Sequence, residues 1–325
     1  MNFIQQAYKG KNEWYHWVLT IMLVFFGWQV LGIIPLVMAG AAKSKDTNEF
    51  LKFMENSFMT AGLDKNFLLF LIVFTFFVGL IFLFIGVKYI HRRTITSLVT
   101  SRVKIDWKRF FYGFFVWGII ALVFSSIALL ISPENFVWNF NATPFFILVA
   151  ISFLFIPFQT SFEELLFRGY FMQGIGILAK NRWVPLLITS VVFGLLHGAN
   201  PEVAKLGQIT MVFYIGTGLF YGIVTLMDEG TEIALGLHAI NNIVAAFFIT
   251  TDWTVFQTDA LYIDMSEPSV TWEMFLPVFV LYPIMLVIFS KKYGWKNWKE
   301  KLTGKIVAPV NLKENYRILE DIGTE

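Results

Sequence analysis

Glu163, His197, His238 and Asn242 are a carboxylate, two imidazoles and an amide, each set within an otherwise apolar run. A carboxylate that is free to meet water serves as a general base. N–H groups of imidazole and amide stabilise the oxyanion formed when that water attacks a carbonyl. Together these types are what peptide hydrolysis requires.

Local spacing divides the labour further. In "SFEELLFRGYF", Ser161 to Phe171, two adjacent glutamates precede an arginine. Such a group costs about 2.5–3.5 kcal/mol at the centre of a membrane span, whereas Leu or Phe contributes only about 0.3–0.6. Three charges in one span must therefore be paired, hydrated or functional. Glu164 and Arg168 stand at i and i+4 with the acid first, the favourable order for an ion pair. Glu163 is turned by about 100° from its neighbour, so the two acids are expected to face different partners. That leaves Glu163 free for a polar cavity. His238 and Asn242 share one helical face, as do Phe193 and His197, where the ring would fix the imidazole rotamer. Asn241 points away, toward a neighbouring helix. Ser161, Thr189 and Ser190 carry hydroxyls but have no base at helical spacing, so a serine mechanism is not favoured. His16 and His91 lie beside span ends and read as interfacial packing.

These groups are held by a membrane protein. Of 325 residues, 57% are hydrophobic and 15% charged, far below the soluble average of about 25% charged. Eight windows are long and apolar enough to cross a bilayer as helices: 15–38, 66–87, 110–132, 143–167, 184–199, 206–227, 232–250 and 274–290. They are apolar on every face, which excludes a β-barrel. The expected architecture is an all-α polytopic bundle of about eight transmembrane helices. The N-terminus would be residues 1–14, the bundle 15–290 with a reactive core near 140–250, and the basic tail 291–325. Glu13 and the length of the first apolar run favour a retained span over a cleaved signal. With both termini cytoplasmic, as in a cell membrane, twenty of the 25 Lys and Arg fall on the inner side. "NEFLKFMENSFM" reads equally as a surface amphipathic helix or a packed hairpin. The tail "KKYGWKNWKEKLTGK" reads as an interfacial anchor on anionic lipid, and nothing points to nucleic acid. The absence of cysteine excludes disulfides, thiolate metal sites and a cysteine nucleophile.

Three strings, "EELLFR" (Glu163 to Arg168), "FGLLH" (Phe193 to His197) and "HAINN" (His238 to Asn242), resemble in order the motifs E-E-x-x-x-R, F-x-x-x-H and H-x-x-x-N of the CPBP intramembrane proteases. These are the CAAX-processing and bacteriocin-processing, or Abi, family. The resemblance implies an eight-helix protease acting on membrane-associated peptide or protein substrates from within the lipid bilayer. Under it, Glu163 and His197 would activate water, His238 and Asn242 would hold the oxyanion, and Glu164, Arg168 and Phe193 would support the site. The zinc helix signature H-E-x-x-H is absent. Two histidines and a glutamate from different helices nonetheless form a known zinc set, so Glu163, His197 and His238 stay open as ligands of a divalent metal.

Drawn as straight helices, the fourth and fifth spans separate Glu163 from His197 by roughly 10 Å in depth. The fourth helix is therefore expected to break or tilt at Pro157 or Gly169, or the fifth to begin deeper. Two other classes compete with hydrolysis. One is a catalytically idle scaffold or bacteriocin-immunity-type protein that binds a membrane partner. The other is a small-solute transporter, which would be expected to show inverted repeats.

Overall fold

A computed structural model describes residues 1–309. Among these residues, eight apolar helices make the bundle, six of them long enough to cross a membrane, with a short helix on the first long loop. The six long ones are α1 (Trp14–Lys43), α3 (Lys65–Ile90), α4 (Trp107–Ile131), α5 (Ala142–Ala179), α7 (Gln208–Asp228) and α9 (Trp272–Tyr293). Two shorter ones, α6 (Trp183–Ala199) and α8 (Glu232–Phe247), are apolar as well. The loop helix α2 spans Thr47–Glu55 and is capped by Asp46, whose carboxylate accepts from the Glu49 N–H. Phe115 and Ile119 on α4 are 59% and 63% exposed. Apolar stripes left open in this way suit a lipid solvent.

The inner bundle is built around α8, which packs on α4, α5 and α7. Leu237, Ile240 and Val244 of α8 meet Phe220 and Val224 of α7 in one buried cluster. Glycine permits the closest of these crossings. A Cβ on Gly236 would lie 2.1 Å from the Phe110 carbonyl, and one on Gly113 would lie 2.8 Å from the Ile233 carbonyl. Small residues let membrane helices approach backbone to backbone.

Helix α5 differs from its expected form. It continues through Pro157 and Gly169 to Ala179, well past the predicted end at 167. Between Leu165 and Phe171 it widens into a π-helical stretch, then returns to α geometry. Such bulges absorb a register change without ending a helix and often stand at functional sites. Glu163 therefore sits toward the middle of a long helix rather than near its end.

Three short strands join loops at one end: β1 (Phe136–Trp138), β2 (Ile249–Thr250) and β3 (Tyr262–Asp264), in the order β1-β3-β2. Pairing is antiparallel between β1 and β3 and parallel between β2 and β3. The α2 hairpin is packed, with Phe53 and Phe58 buried against Leu36 and Leu71. The first part of the tail also departs from expectation. Trp295 is buried and its indole N–H donates to Asp228 at 3.1 Å, while the Lys301 amine meets Glu229 at 2.5 Å. Partners on the bundle draw these side chains away from lipid. Residues 310–325 of the predicted tail lie outside the described residues.

Candidate active site

Helix α5 contributes Gln159 with Glu163 and Glu164 with Arg168, each pair four residues apart and so on a shared face. Arg168 donates to Glu164 Oε1 at 3.0 Å, and neither side chain has any exposed surface. The guanidinium also donates to the Gly218 carbonyl of α7 at 3.0 Å and lies 4.2 Å from the centre of the Phe193 ring. Counter-charge, carbonyl and aromatic face together offset a cation that lipid would reject, while its Nε has no hydrogen-bond partner.

One imidazole joins the two acids. His238 Nδ1 lies 2.9 Å from Glu164 Oε1, and its Nε2 lies 3.5 Å from Glu163 Oε2. The expectation that adjacent glutamates face different partners is thus overturned. They diverge as helix geometry requires, but a flat ring with nitrogens on two edges meets both. Because a carboxylate only accepts, Nδ1 carries the proton toward Glu164. Tyr221 covers the ring at 5.2 Å, and Phe193 meets it edge-on at 6.0 Å.

On the other side of Glu163 lies a residue that the motifs do not contain. Gln159 Nε2 donates to Glu163 Oε1 at 2.6 Å, and Gln159 Oε1 accepts from Asn242 Nδ2 at 3.2 Å. Asn241 continues the chain, donating to Asn242 Oδ1 at 3.2 Å and accepting from the Trp117 indole of α4 at 3.1 Å. Its predicted turn toward a neighbouring helix holds, with an additional bond to Asn242. Gln159 stands four residues before Glu163, so helical spacing alone held a signal for it. Glu163 Oε2 is left buried without a hydrogen bond.

His197 stands apart from this network. It ends the α-helical part of α6, and its Nδ1 lies 2.8 Å from the Phe193 carbonyl, leaving Nε2 as the uncommitted nitrogen. The Phe193 ring packs against it at 4.7 Å, and Tyr214 of α7 stacks on it at 4.5 Å and 23°. Among the described residues, no hydrogen bond or ion pair joins His197 to Glu163. Phe193 is the ring that touches both His197 and His238.

The same geometry bears on a metal. Among the described residues, no three His, Asp or Glu side chains are grouped to hold an ion. Both nitrogens of His238 already face carboxylates, and His197 lies outside the cluster. Glu163, His197 and His238 as arranged do not fit an ion, and no step is derived through one.

A polytopic helix bundle with a buried Glu–His–Glu centre and a neutralising arginine defines an integral membrane protein with ionisable chemistry inside the bundle. Residues 141–244, which hold all three motifs, match the family described as Type II CAAX prenyl endopeptidase Rce1-like. The match covers about a third of the chain, and within it lie the strings that resemble the CPBP, or CAAX-protease, motifs. It is also 29% identical over 287 residues to the uncharacterized protein YyaK of Bacillus subtilis (strain 168), covering 86% of this chain and 93% of that protein. No solved structure matches the chain.

Proposed function

We propose that the protein is an intramembrane endopeptidase in which Glu163 activates water for attack on a peptide bond of a membrane-associated substrate. The observation that carries this reading is the state of the Glu163 carboxylate. One oxygen is held by Gln159, while the other is buried, unbonded and 3.5 Å from His238 Nε2. An oriented carboxylate with an open oxygen suits a general base.

Charge counting supports it. Two ionised glutamates and Arg168 leave one negative charge in a medium that penalises net charge. One further proton, held on His238 Nε2, makes the group neutral, leaves Glu163 free to accept a proton and gives His238 a second N–H to donate. In the reaction Glu163 takes a proton from water as the oxygen bonds to the carbonyl carbon, with the uncommitted Nε2 of His197 orienting that water. The carbonyl oxygen becomes an oxyanion, which His238 and Asn242 stabilise through N–H groups. The proton then passes to the amide nitrogen, the C–N bond breaks, and a carboxylic acid and an amine leave. Glu164 and Arg168 hold the imidazole and balance its charge. Both termini face the cytoplasm of a cell-membrane protein in this reading, following the distribution of Lys and Arg.

Purified protein in lipid nanodiscs, given a lipid-anchored reporter peptide with a quenched fluorophore pair, tests the proposal. Glu163→Gln is expected to lower turnover by about 10² to 10⁴ at unchanged expression. Gln159→Leu, which frees the carboxylate, is expected to lower kcat by about tenfold or more. Cleavage at the wild-type rate by Glu163→Gln would leave the idle scaffold as the better reading.

A further inference from the structure

His197 is held differently from His238. It lies where the α-helix of α6 tightens into the turn His197–Ala199, and so is not held within a continuous α-helix. Its ring is instead fixed from outside its own helix. Tyr214 stacks on it at 4.5 Å between centroids and 23°, in addition to the contact from Phe193 of α6 itself.

Tyr214 is in turn tethered. Its hydroxyl donates to Glu202 Oε1, and Asn200 Nδ2 donates to the same oxygen at 3.0 Å and approaches the hydroxyl at 3.3 Å. The second carboxylate oxygen of Glu202 accepts from the Val255 N–H at 3.1 Å. Glu202 is buried, and these bonds satisfy both of its oxygens. One carboxylate therefore joins three parts of the molecule: the turn just after His197, the start of α7, and the loop that follows α8. The first and third of these leave the helices that carry His197 and His238.

We propose that Tyr214, tethered by Glu202, is the positioning residue of His197, an inference that rests on the hydrolytic reading of the site. The stack fixes the plane of the imidazole, and the tether fixes the stack. With Nδ1 bound to the Phe193 carbonyl, Nε2 is then aimed in one direction. A ring free to turn would spread that nitrogen over several directions, and misplacement by about 1 Å lowers rates by as much as about a hundredfold.

The test uses the full chain in lipid nanodiscs with two readouts. The first is cleavage of the quenched, lipid-anchored reporter. Tyr214→Leu is expected to lower kcat by about ten- to a hundredfold with KM changed by less than about twofold. Tyr214→Phe keeps the stack without the tether, and Glu202→Gln keeps the volume without the full set of acceptors. Both are expected to fall between Tyr214→Leu and the wild type. The second readout is the ¹⁵N chemical shifts of the His197 ring, assigned by loss of signal in His197→Gln. Wild type is expected to show a single Nδ1–H tautomer, and Tyr214→Leu a mixture. If Tyr214→Leu does not fold, Tyr214→Phe and Glu202→Gln decide by the same two measurements.

Unchanged kcat and unchanged ring shifts in the folded variants, beside an inactive Glu163→Gln, would overturn the positioning role alone. If wild type and Glu163→Gln cleave equally, the hydrolytic reading fails. The ring shifts then decide by themselves: a changed tautomer supports positioning by Tyr214, and an unchanged one overturns it.

Discussion

At the scale of single residues, adjacent glutamates have opposite dependences on their neighbours. Glu164 is completely buried between Arg168 and His238, whereas Glu163 keeps 14% of its side chain exposed; each keeps one carboxylate oxygen without a hydrogen bond. Removing one member of a buried ion pair leaves the other uncompensated and costs about 3–5 kcal/mol. Glu164→Ala and Arg168→Ala are therefore expected to lose folded protein, read as a lower melting temperature and poor recovery in mild detergent. Glu163→Gln should melt close to wild type. Equal melting of Glu164→Ala and wild type would contradict the assigned role of the pair. The i, i+4 pairing of Glu164 with Arg168 was legible from spacing. The bridge through His238 was not, because it depends on how α8 is rotated against α5. Tyr214 and Glu202 were hidden for the same reason: a tyrosine in one helix and an acid in a loop become related only when α6 and α7 pack together.

Elements show why the apolar windows found the apolar helices but not every length or end: six of the eight expected spans are long enough to cross a membrane, whereas α6 and α8 are shorter. Arg168 and Gly169 read as the close of a span, yet the π-helical stretch carries α5 past both into "MQGIGILA". A charge ends an apolar window when water is the expected partner. Here the partner is another side chain four residues back. The crossing of α8 and α4 makes a separate prediction. With the Cβ position of Gly236 so close to the Phe110 carbonyl, Gly236→Leu must push the helices apart two residues before His238. Overpacking of this sort costs about 1–3 kcal/mol. The variant is expected to melt lower and to cleave the reporter more slowly, while Gly198→Ala, where a Cβ meets nothing within 4 Å, should leave melting unchanged.

For the whole molecule, composition and apolar periodicity were enough to give an all-α membrane bundle, because lipid admits few alternatives to helices. The packing of the tail was not legible, since its Trp and Lys suit a lipid surface as well as they suit Asp228 and Glu229. Stability should also depend on pH at the membrane boundary. His91 is fully buried just beyond α3, with Nδ1 at 2.7 Å from the Lys11 carbonyl and Nε2 at 2.9 Å from the Tyr170 hydroxyl. Burial is the main cause that lowers its pKa from 6.5 to about 4. Between those values the unfolded chain binds more protons than the folded one, so stability is lost as pH falls through that window. Melting temperature is expected to drop from pH 7 to pH 5 in wild type and to drop less in His91→Gln. Equal slopes in the two proteins would remove His91 as the cause.

The order in which helices leave the ribosome gives the Glu164–Arg168 pair a further consequence. Helix α5 is synthesised before α7 and α8, so during its entry into the bilayer neither the Gly218 carbonyl nor His238 yet exists to receive its charges. Within the segment itself, a counter-ion lies one helical turn away. Cis pairing thus lets the charged helix be accepted by the insertion machinery on its own. The later helices then arrive at a partner whose charges are already largely balanced, and complete the centre instead of rescuing it.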